Sequence, residues 1–349
     1  METIELNNKT TILVTGGAGF IGRHLVSSLL DHGCSVRVLD DMSTGQPELL
    51  PIHPNLEVVV GSVLDLSAVS IAMEGTDLIF HLASVVGMQV VHSAPTYSIQ
   101  VSVEGTQNVF AESHEQPVIL FSSSAVYGIN SDGPVKETMV VNEQIVLKYD
   151  GGVPGYGVGK FRMEQIGLEA AKNGRKVIIL RPFNVVGLGQ SPRYGMVLPS
   201  FLKCASIGKP LLIHDDGLQE RAFGDVETLV EAVLRLVPCQ QAWDQTQNII
   251  NIGNTQCHTI LELAHMVINA MNAKNLTRFI PYSEVFPGKT DVRKRRPDVS
   301  RLEGLIGVVQ WQPLGEIVAV LAEETRRLHS LKKMAKHAEK RRHISEPQC

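Results

Sequence analysis

The chain has 349 residues, of which 44% are hydrophobic and 19% charged, and its formal net charge is −4. This composition is typical of a globular protein, so it excludes a largely disordered chain, and it offers no basic excess for a nucleic-acid backbone or an anionic membrane. The five cysteines form no C-x-x-C pair and no cluster with histidine, so we predict neither a metal site nor a disulfide framework. Since no signal-peptide pattern and no long apolar stretch is present, we expect a soluble, cytoplasmic protein.

Short apolar, β-branched runs alternate with helix-length segments from residue 10 to residue 186. The runs are TTILVT, VRVLD, LEVVVG, DLIFHLA, VILFSSS and KVIILRPF. Such runs predict strands buried on both faces, and the helix-length segments between them predict crossover connections and a parallel sheet. We therefore predict an α/β fold with a Rossmann-type, doubly wound parallel sheet.

The alternation weakens after about residue 187. Helical stretches then flank two short strands, PLLIHDD and NIINIG, which could either extend the sheet or cover its open edge. We predict a dinucleotide-binding domain over 1–188, to which 222–255 returns, and a smaller, mostly helical substrate-binding lobe over 189–330. Residues 331–349 are rich in Lys and Arg, and we predict a flexible, solvated tail.

The stretch TILVTGGAGFIGRHLV places glycines between a predicted strand and the opening of a helix. Gly17, Gly19 and Gly22 are in G-x-G-x-x-G register, and Gly16 adds a second register. Strand, glycines and helix in this order predict a tight turn that lets a pyrophosphate approach the free N–H groups and the positive dipole of the helix N-terminus.

The next strand ends at Asp40, about twenty residues after the glycines, where a carboxylate can accept hydrogen bonds from the adenosine ribose. Its negative charge would repel a 2′-phosphate. The sequence therefore favours NAD over NADP, although Arg37 and Asp41 lie close by and leave the alternative open.

These features resemble the extended short-chain dehydrogenase/reductase family, as does STG at 43–45. Four later motifs strengthen the resemblance: HLAS, SSSAVYG, YGVGK from Tyr156 to Lys160, and RPFNVVG. The resemblance covers about residues 10–327 and is greatest to the nucleotide-sugar epimerases and dehydratases, in particular the UDP-sugar 4-epimerases. It implies NAD as cofactor, a nucleotide-diphosphate sugar as substrate, and a homodimer formed by helices near 95–113 and 156–173.

Three positions depart from the family pattern. Ser62 and Val63 stand where the family usually has an Asp that meets the adenine, and Ser102 replaces a usual Asn. Glycine is also dense around Tyr156, and each glycine inside a helix destabilises it by up to about 1 kcal/mol relative to alanine.

The resemblance and the chemistry together indicate the catalytic residues. Removal of hydride from a sugar carbon requires a base for the hydroxyl proton, and Tyr156 is the candidate. Lys160 lies one helical turn on, so its charge is expected to favour the phenolate. By analogy, Ser123 hydrogen-bonds the reacting sugar oxygen. Ser124 is a second candidate, and Ser122 is expected to satisfy backbone groups at the strand exit.

The remaining site residues follow from the resemblance. The predicted cofactor contacts are Gly16, Gly19, Phe20, Ile21, Gly22, Asp40, Ser62, Val63, Leu82, Ala83, Ser102, Tyr156, Lys160 and Phe183. The predicted substrate contacts are Ser124, Asn184, Val197, Leu198, Arg221, Arg293 and Arg295. The arginines suit bidentate binding of phosphate. Arg295 stands at a position that gates sugar size in related hexose epimerases, so it could instead recognise an acidic sugar such as a uronate.

The residues after Ser123 discriminate between reactions. Related 4,6-dehydratases carry an Asp-Glu pair there, and uronate decarboxylases carry a Glu two residues on, whereas this chain has Ser124 and Ala125. We therefore predict a 4-epimerase that acts through a transient 4-keto sugar, with the hydride returned to the opposite face. The alternatives are a dehydratase or a UDP-glucuronate decarboxylase that recruits Glu137 or Glu143, and a non-catalytic NAD-binding regulatory protein.

Overall fold

The computed structural model describes residues 4–87, 91, 93–129, 133–274, 277–288 and 291–344. The strands are β1 (Thr11–Thr15), β2 (Ser35–Asp40), β3 (Leu56–Val60), β4 (Leu78–His81), β5 (Val118–Phe121), β6 (Pro134–Val135), β7 (Val177–Pro182), β8 (Val185–Val186), β9 (Leu211–His214), β10 (Glu220–Ala222), β11 (Gly224–Asp225), β12 (Ile249–Ile252), β13 (Cys257–Thr259), β14 (Thr277–Ile280) and β15 (Lys294–Pro297). The helices are α1 (Phe20–Asp31), α2 (Leu66–Met73), α3 (Pro95–Glu112), α4 (Glu143–Tyr149), α5 (Tyr156–Lys172), α6 (Val197–Ser206), α7 (Val226–Leu236), α8 (Ile260–Met271), α9 (Tyr282–Val285), α10 (Ser300–Ile306) and α11 (Leu314–Ile344).

The main sheet has seven strands in the order β12-β7-β5-β4-β1-β2-β3, and every pairing in it is parallel. The chain runs outward from β1 to β3 and then returns to β4 on the other side of β1. This is the doubly wound arrangement predicted from the sequence, which is confirmed. In such sheets the ligand crevice lies outside the carboxyl ends of the strands at the point where the order reverses, here between β1 and β4.

The apolar runs of β1, β2, β4, β5 and β7 follow from burial of both sheet faces, whereas the expectation was wrong for β3, an edge strand that leaves Val58 and Val60 exposed. Along β1, Ile12 and Val14 pack into one core with α1 and α7, whereas Leu13 between them packs into the opposite core with α2, α3 and α5. Because side chains alternate across a strand, a sheet covered on both faces needs apolar residues at every position.

The C-terminal lobe is built around a third core, formed by α6, α8, β9 and the first half of α11. Of the two strands left open above, β12 extends the main sheet beside β7, whereas β9 pairs with β14 in a separate two-stranded sheet. A further sheet, β13-β10-β15-β6, joins strands of this lobe to residues 134–135 and so brings the lobe beside the end of β5.

The described part of the predicted tail, residues 331–344, is helical, because α11 continues through it to Ile344. From residue 316 onward this helix contains neither Gly nor Pro, and helix-forming Leu, Ala, Glu, Lys and Arg predominate. Residues 345–349 lie outside the described residues. No helix in the described part of the chain combines the length and the apolar character that crossing a membrane requires.

Candidate active site

The glycine turn between β1 and α1 is closed by backbone contacts. Gly16 adopts a φ of +71°, and a Cβ added there would lie 2.7 Å from the amide nitrogen of Ala83. A Cβ on Gly22 would lie 2.2 Å from the carbonyl oxygen of Gly16. Gly19 is the N-cap of α1 and has no side chain to cap the first N–H groups, so these donors remain for an anion. The turn fits the pyrophosphate of a dinucleotide.

The HLAS segment lies directly against this turn. The amide of Ala83 donates to Thr15 Oγ1 over 3.3 Å, and Leu82 packs on the core beneath α1. Phe20 and Ile21 form the first turn of α1 and are partly buried against the same core. The structure therefore gathers the predicted cofactor residues of β1, α1 and β4 at the crevice between β1 and β4.

Asp40 ends β2 and supports the turn from its other side. Its carboxylate accepts hydrogen bonds from the amides of Ala18 and Met42, at 3.0 and 2.9 Å. Burial raises the pKa of Asp40, and the two amides oppose that shift. The carboxylate thus holds the glycine turn, and its contact with the ribose stays a prediction.

Arg37 points away from this region. Its guanidinium is 2.6 Å from a carboxylate oxygen of Glu57 and donates to the carbonyls of Ala72 and Glu74. Asp41 is occupied by the amide and hydroxyl of Ser43. Among these residues, none leaves a free positive charge at the end of β2 to bind a 2′-phosphate, so this end of the strand suits NAD rather than NADP.

The three positions that depart from the family pattern have different surroundings. Ser62 is half-buried and its hydroxyl accepts from the amide of Leu64, so it can still face a ligand. The Val63 side chain is buried against Gly105 of α3. Ser102 is fully buried, donates to the carbonyl of Ser98 and lies against α5 at Gly159. Of these three residues, only Ser62 is therefore partly exposed.

The structure brings Ser123, Tyr156 and Lys160 together at the end of β5. Ser123 caps the short 3-10 helix at Ser124–Tyr127, accepting from the amide of Ala125 at 3.1 Å, and its hydroxyl hydrogen-bonds Tyr156. Lys160 is buried, and its Nζ donates to the carbonyl of Phe121 over 2.6 Å. The same Nζ lies 6.0 Å from the Tyr156 ring centroid.

The electrostatics of this group differ from the expected lysine-stabilised phenolate. Burial raises the pKa of Tyr156 to about 12, and the hydrogen bond from Ser123 only partly offsets that rise. Burial also lowers the pKa of Lys160 to about 7, against the attraction of Glu164. Loss of water thus disfavours both charged forms, and burial, not the i, i+4 spacing, sets the direction of both pKa shifts.

The glycine-rich segment before Tyr156 starts its helix with a remote cap. The N-cap Gly155 has no side chain, and the buried Asp150 carboxylate instead accepts from the amides of Gly155, Gly157 and Val158 at 3.0 to 3.3 Å. A Cβ on Gly157 would lie 2.8 Å from Val146 Cγ1, so glycine allows α4 to approach α5. The helix that carries Tyr156 is therefore held at its first turn.

Two predicted residues lie elsewhere than expected. The Ser122 hydroxyl donates to a carboxylate oxygen of Glu164 over 2.5 Å, so it satisfies a buried charge rather than backbone groups. Phe183 is fully buried in a small cluster with Tyr127, at a ring distance of 6.1 Å, so its side chain packs beneath the site and presents no surface to a cofactor.

On the substrate side, Asn184 has a φ of +31°, and its amide donates to the carbonyl of Ala222, so its conformation ties β8 to β10. Val197 is the first residue of α6 and offers a free backbone N–H. The Leu198 side chain is buried in the C-terminal core, so only backbone of this residue is available to a ligand.

The three predicted arginines have unlike settings. Arg221 and Arg295 are register partners in β10 and β15. Arg221 pairs with Asp291 at 2.6 Å and also donates to the Val292 carbonyl. Arg295 is 5% exposed, its guanidinium donates to the carbonyl of Gly128, and its Nε has no hydrogen-bond partner among the residues that the structure describes. Arg293 is instead exposed and paired with Asp216.

Aromatic residues that the sequence did not point to lie near the predicted substrate arginines. The Arg295 guanidinium carbon lies 5.0 Å from the ring centroid of Tyr149, which also hydrogen-bonds Arg295 and interacts electrostatically with Tyr156. His214, Tyr282 and Phe286 form a cluster with centroids 5.0 to 5.8 Å apart. The one sequence signal for these residues is that aromatic residues are scarce, at 5% of the chain.

The two carboxylates considered as alternative acids have other partners. Glu143 pairs with Arg162 at 2.7 Å, and both side chains are more than two-fifths exposed. Glu137 accepts from the backbone amide of Asn251 at 2.9 Å. In the described ranges no three His, Cys, Asp or Glu side chains are grouped as a metal site would require.

Comparison with known proteins agrees with this geometry. Residues 12–253 match the NAD dependent epimerase/dehydratase family. The chain is 29% identical to the UDP-N-acetyl-alpha-D-glucosaminuronate decarboxylase of Bacillus cytotoxicus, over 87% of this chain and 98% of that protein. It is 32% identical to UDP-glucuronic acid decarboxylase 4 of Arabidopsis thaliana, over 86% of this chain and 65% of that protein.

A solved structure, the UDP-glucose 4-epimerase of Thermotoga maritima with UDP-glucose, superposes with a TM-score of 0.77 at 26% identity, covering 91% of this chain and 99% of the other. The glycine turn, Asp40 and the Ser123–Tyr156–Lys160 group lie within the matched residues 12–253. This chain therefore belongs to the NAD-dependent epimerase/dehydratase family.

Proposed function

We propose that the chain is a UDP-sugar 4-epimerase that inverts C4 through a transient 4-keto sugar. The observation that supports it best is the hydrogen-bonded pair of Ser123 and Tyr156 beside buried Lys160, with no titratable side chain at Ser124 or Ala125. When bound, NAD supplies the hydride acceptor for oxidation at C4 and the hydride for the return.

Ser123, Tyr156 and Lys160 bind the C4 oxygen and move its proton. The Ser123 and Tyr156 hydroxyls together hold the C4 oxygen, and Tyr156 takes its proton and later gives it back. Because burial raises the pKa of Tyr156 to about 12, the phenolate depends on positive charge close to it, which protonated Lys160 provides. The nearby Asp150 carboxylate is committed to three backbone amides, so it does not replace the acid and base that a dehydratase needs.

The substrate class follows from Arg295. The guanidinium of Arg295 is buried next to Arg221, and its Nε is unpartnered among the described residues, so it suits a carboxylate as well as a phosphate. The two decarboxylase relatives are named for uronic acid sugars. We therefore propose a UDP-uronate as the preferred substrate, with Arg295 binding its carboxylate and Arg221 and Arg293 the diphosphate.

Decarboxylation is the second candidate, and the same two relatives support it. A uronate oxidised at C4 is a β-keto acid, whose carboxylate can leave as carbon dioxide. The absence of a carboxylate at 124 and 125 favours epimerisation, because the sugar is then returned with its atoms intact.

Product analysis tests the proposal. The NAD-loaded protein is incubated with UDP-glucuronate, UDP-glucose and UDP-N-acetylglucosamine, and products are identified by mass spectrometry and NMR. Inversion at C4 with unchanged mass is expected. Loss of the mass of carbon dioxide would establish the decarboxylase instead, and turnover that survives Tyr156→Phe would remove Tyr156 from the mechanism.

A pair of arginine variants tests the substrate class. Arg295→Ala should lower turnover of UDP-glucuronate at least tenfold more than that of UDP-glucose, because only the uronate carries the carboxylate. Arg296→Ala, an exposed neighbour on the same strand, is the control and should change neither. If uronate turnover is absent or indifferent to Arg295→Ala, the uronate proposal fails.

The dimer remains a prediction. The helices expected to form it, α3 and α5, pack against each other within the chain, so their outer faces would make one joint surface. Sedimentation analysis of the NAD-loaded protein distinguishes monomer from dimer.

A further inference from the structure

Glu164 has no role in the chemistry described above, yet it is among the most enclosed charges in the described chain, with 1% of its surface exposed. It follows Lys160 by one helical turn and Tyr156 by two turns on α5. Residues spaced by four lie on one helix face, so all three side chains lie on the side of α5 that packs on the end of β5. A buried carboxylate on the same helix face as Tyr156 and Lys160 indicates a function.

The partners of Glu164 bind it from two strands. Its Oε1 accepts from the Ser122 hydroxyl at 2.5 Å and from Arg181 Nε at 2.8 Å, and its Oε2 accepts from Arg181 Nη2 at 2.6 Å. Arg181 lies on β7, and Ser122 directly follows β5. The carboxylate therefore joins α5 to two neighbouring strands of the main sheet.

Lys160 and Glu164 bind successive residues of the same strand exit. Lys160 Nζ donates to the Phe121 carbonyl, and Glu164 accepts from the Ser122 side chain. Ser123 comes next and hydrogen-bonds Tyr156. Two charged contacts from α5 thus fix the backbone immediately before the hydroxyl that must meet the reacting oxygen.

Lys160 lies near charged or titratable groups from several elements. On its own helix α5 it faces Glu164 and the Tyr156 ring, and β4 contributes His81, which is kept neutral by burial. Arg181 on β7 lies behind Glu164. From α3, the uncharged Ser102 faces α5 at Gly159, and Asp150, which follows α4, is bound by three amides at the start of α5. Glu164 is therefore the anion that acts on Lys160.

We propose that Glu164 is a positioning residue for the proposed 4-epimerase reaction, which holds the Phe121–Ser123 strand exit against α5 and keeps Lys160 in its charged form. The inference rests on the proposed function for its kinetic part alone. Neither effect requires Glu164 to touch substrate or cofactor.

The first test measures the Lys160 charge without substrate. The NAD-loaded protein is labelled with 13Cε-lysine, and the Lys160 signal is assigned by its loss in Lys160→Arg. Glu164→Gln should lower the pH midpoint of this signal by at least half a unit, since removal of an anion disfavours the ammonium. Glu169→Gln makes the same chemical change at an exposed position of α5 and should leave the midpoint unchanged.

The second test measures positioning. Ser122→Ala keeps the Glu164 charge and removes its contact with the strand exit, so kcat should fall at least fivefold with little change in KM and no change in the Lys160 midpoint. Ser122→Thr restores the hydroxyl and should recover most of the loss. In Glu164→Gln, the alkaline limb of the kcat profile should also move to lower pH.

The outcomes are separable. An unchanged Lys160 midpoint in folded Glu164→Gln, or an unchanged kcat in Ser122→Ala, overturns the inference. If Glu164→Gln does not fold because the charge of Arg181 is left unpaired, the Ser122→Ala and Ser122→Thr variants still test the positioning role. If the wild type turns over no nucleotide sugar, the proposed function fails, whereas the Lys160 titration still tests the role of Glu164.

Discussion

His81 makes the stability of this protein depend on pH. The imidazole is fully buried at the end of β4, with Nδ1 2.7 Å from Thr15 Oγ1 and Nε2 3.0 Å from Thr106 Oγ1. The Thr106 hydroxyl donates to the Ser102 carbonyl, so it can only accept from Nε2–H. The Thr15 hydroxyl accepts from the Ala83 amide and is left to donate to Nδ1. The neutral ring therefore forms both hydrogen bonds, whereas a second proton on Nδ1 would face the Thr15 hydroxyl, which is itself the donor there.

The magnitude follows from linkage. Burial lowers the pKa of His81 to about 3 in the folded chain, and the positive charge of Lys160 lowers it further, whereas unfolded histidine has a pKa of about 6.5. Between these two values the unfolded chain binds the extra proton, so stability falls as the pH falls. From pH 7 to pH 5 this site should remove about 2 kcal/mol from the free energy of unfolding, at about 1.4 kcal/mol per pH unit below the unfolded pKa.

Urea titrations at pH 7 and pH 5 measure the effect. The loss of stability between the two values should be about 2 kcal/mol smaller in His81→Asn than in the wild type. Taking the difference within each variant cancels any effect of the substitution at pH 7. His32→Asn, at an exposed position, is the control and should keep the wild-type difference. The reasoning is refuted if His81→Asn loses as much stability on acidification as the wild type.

Three further outcomes follow from the geometry of the site. Gly22→Ala places a Cβ 2.2 Å from the Gly16 carbonyl, so by calorimetry NAD affinity should fall at least tenfold and stability by about 1 to 3 kcal/mol. Gly304→Ala, in open space on α10, should be neutral or stabilising by up to about 1 kcal/mol, and equal effects of the two would contradict the steric account. Asp40→Ala should weaken NAD binding in fluorescence titrations without a tenfold gain for NADP, since Arg37 is held by Glu57; such a gain would show that Arg37 is free to turn. Asp150→Asn leaves one oxygen for three amides, so thermal unfolding should show a loss of about 1 to 2 kcal/mol and kcat should fall; an unchanged melting temperature would exclude the remote cap.

Local patterns predicted much of the architecture. The apolar runs identified six strands of the main sheet, and five of these are buried on both faces, whereas β3 at the sheet edge leaves Val58 and Val60 exposed. The glycines after β1 located the turn because a Cβ at Gly16 or Gly22 meets backbone. The i, i+4 spacing put Tyr156 and Lys160 on one helix face, and the structure keeps them there beside Ser123. The contact of Gly22 with Gly16 and the i, i+4 spacing are local, whereas the Ala83 backbone that meets Gly16 and the Ser123 hydroxyl beside Tyr156 come from other elements.

Other features depend on partners far apart in sequence, and no local pattern carries them. Ser122 meets Glu164 across 42 positions, and Arg295 meets Gly128 across 167. The pKa values of Tyr156 and Lys160 differ from the sequence-based expectation because burial, which only the packed structure sets, is the largest cause of both shifts. The sequence by itself determined which elements form and which residue types reach the sheet edge, since these follow from periodicity and backbone sterics. Only the tertiary structure decided which charges are buried and what they bind, because desolvation depends on everything packed around a group.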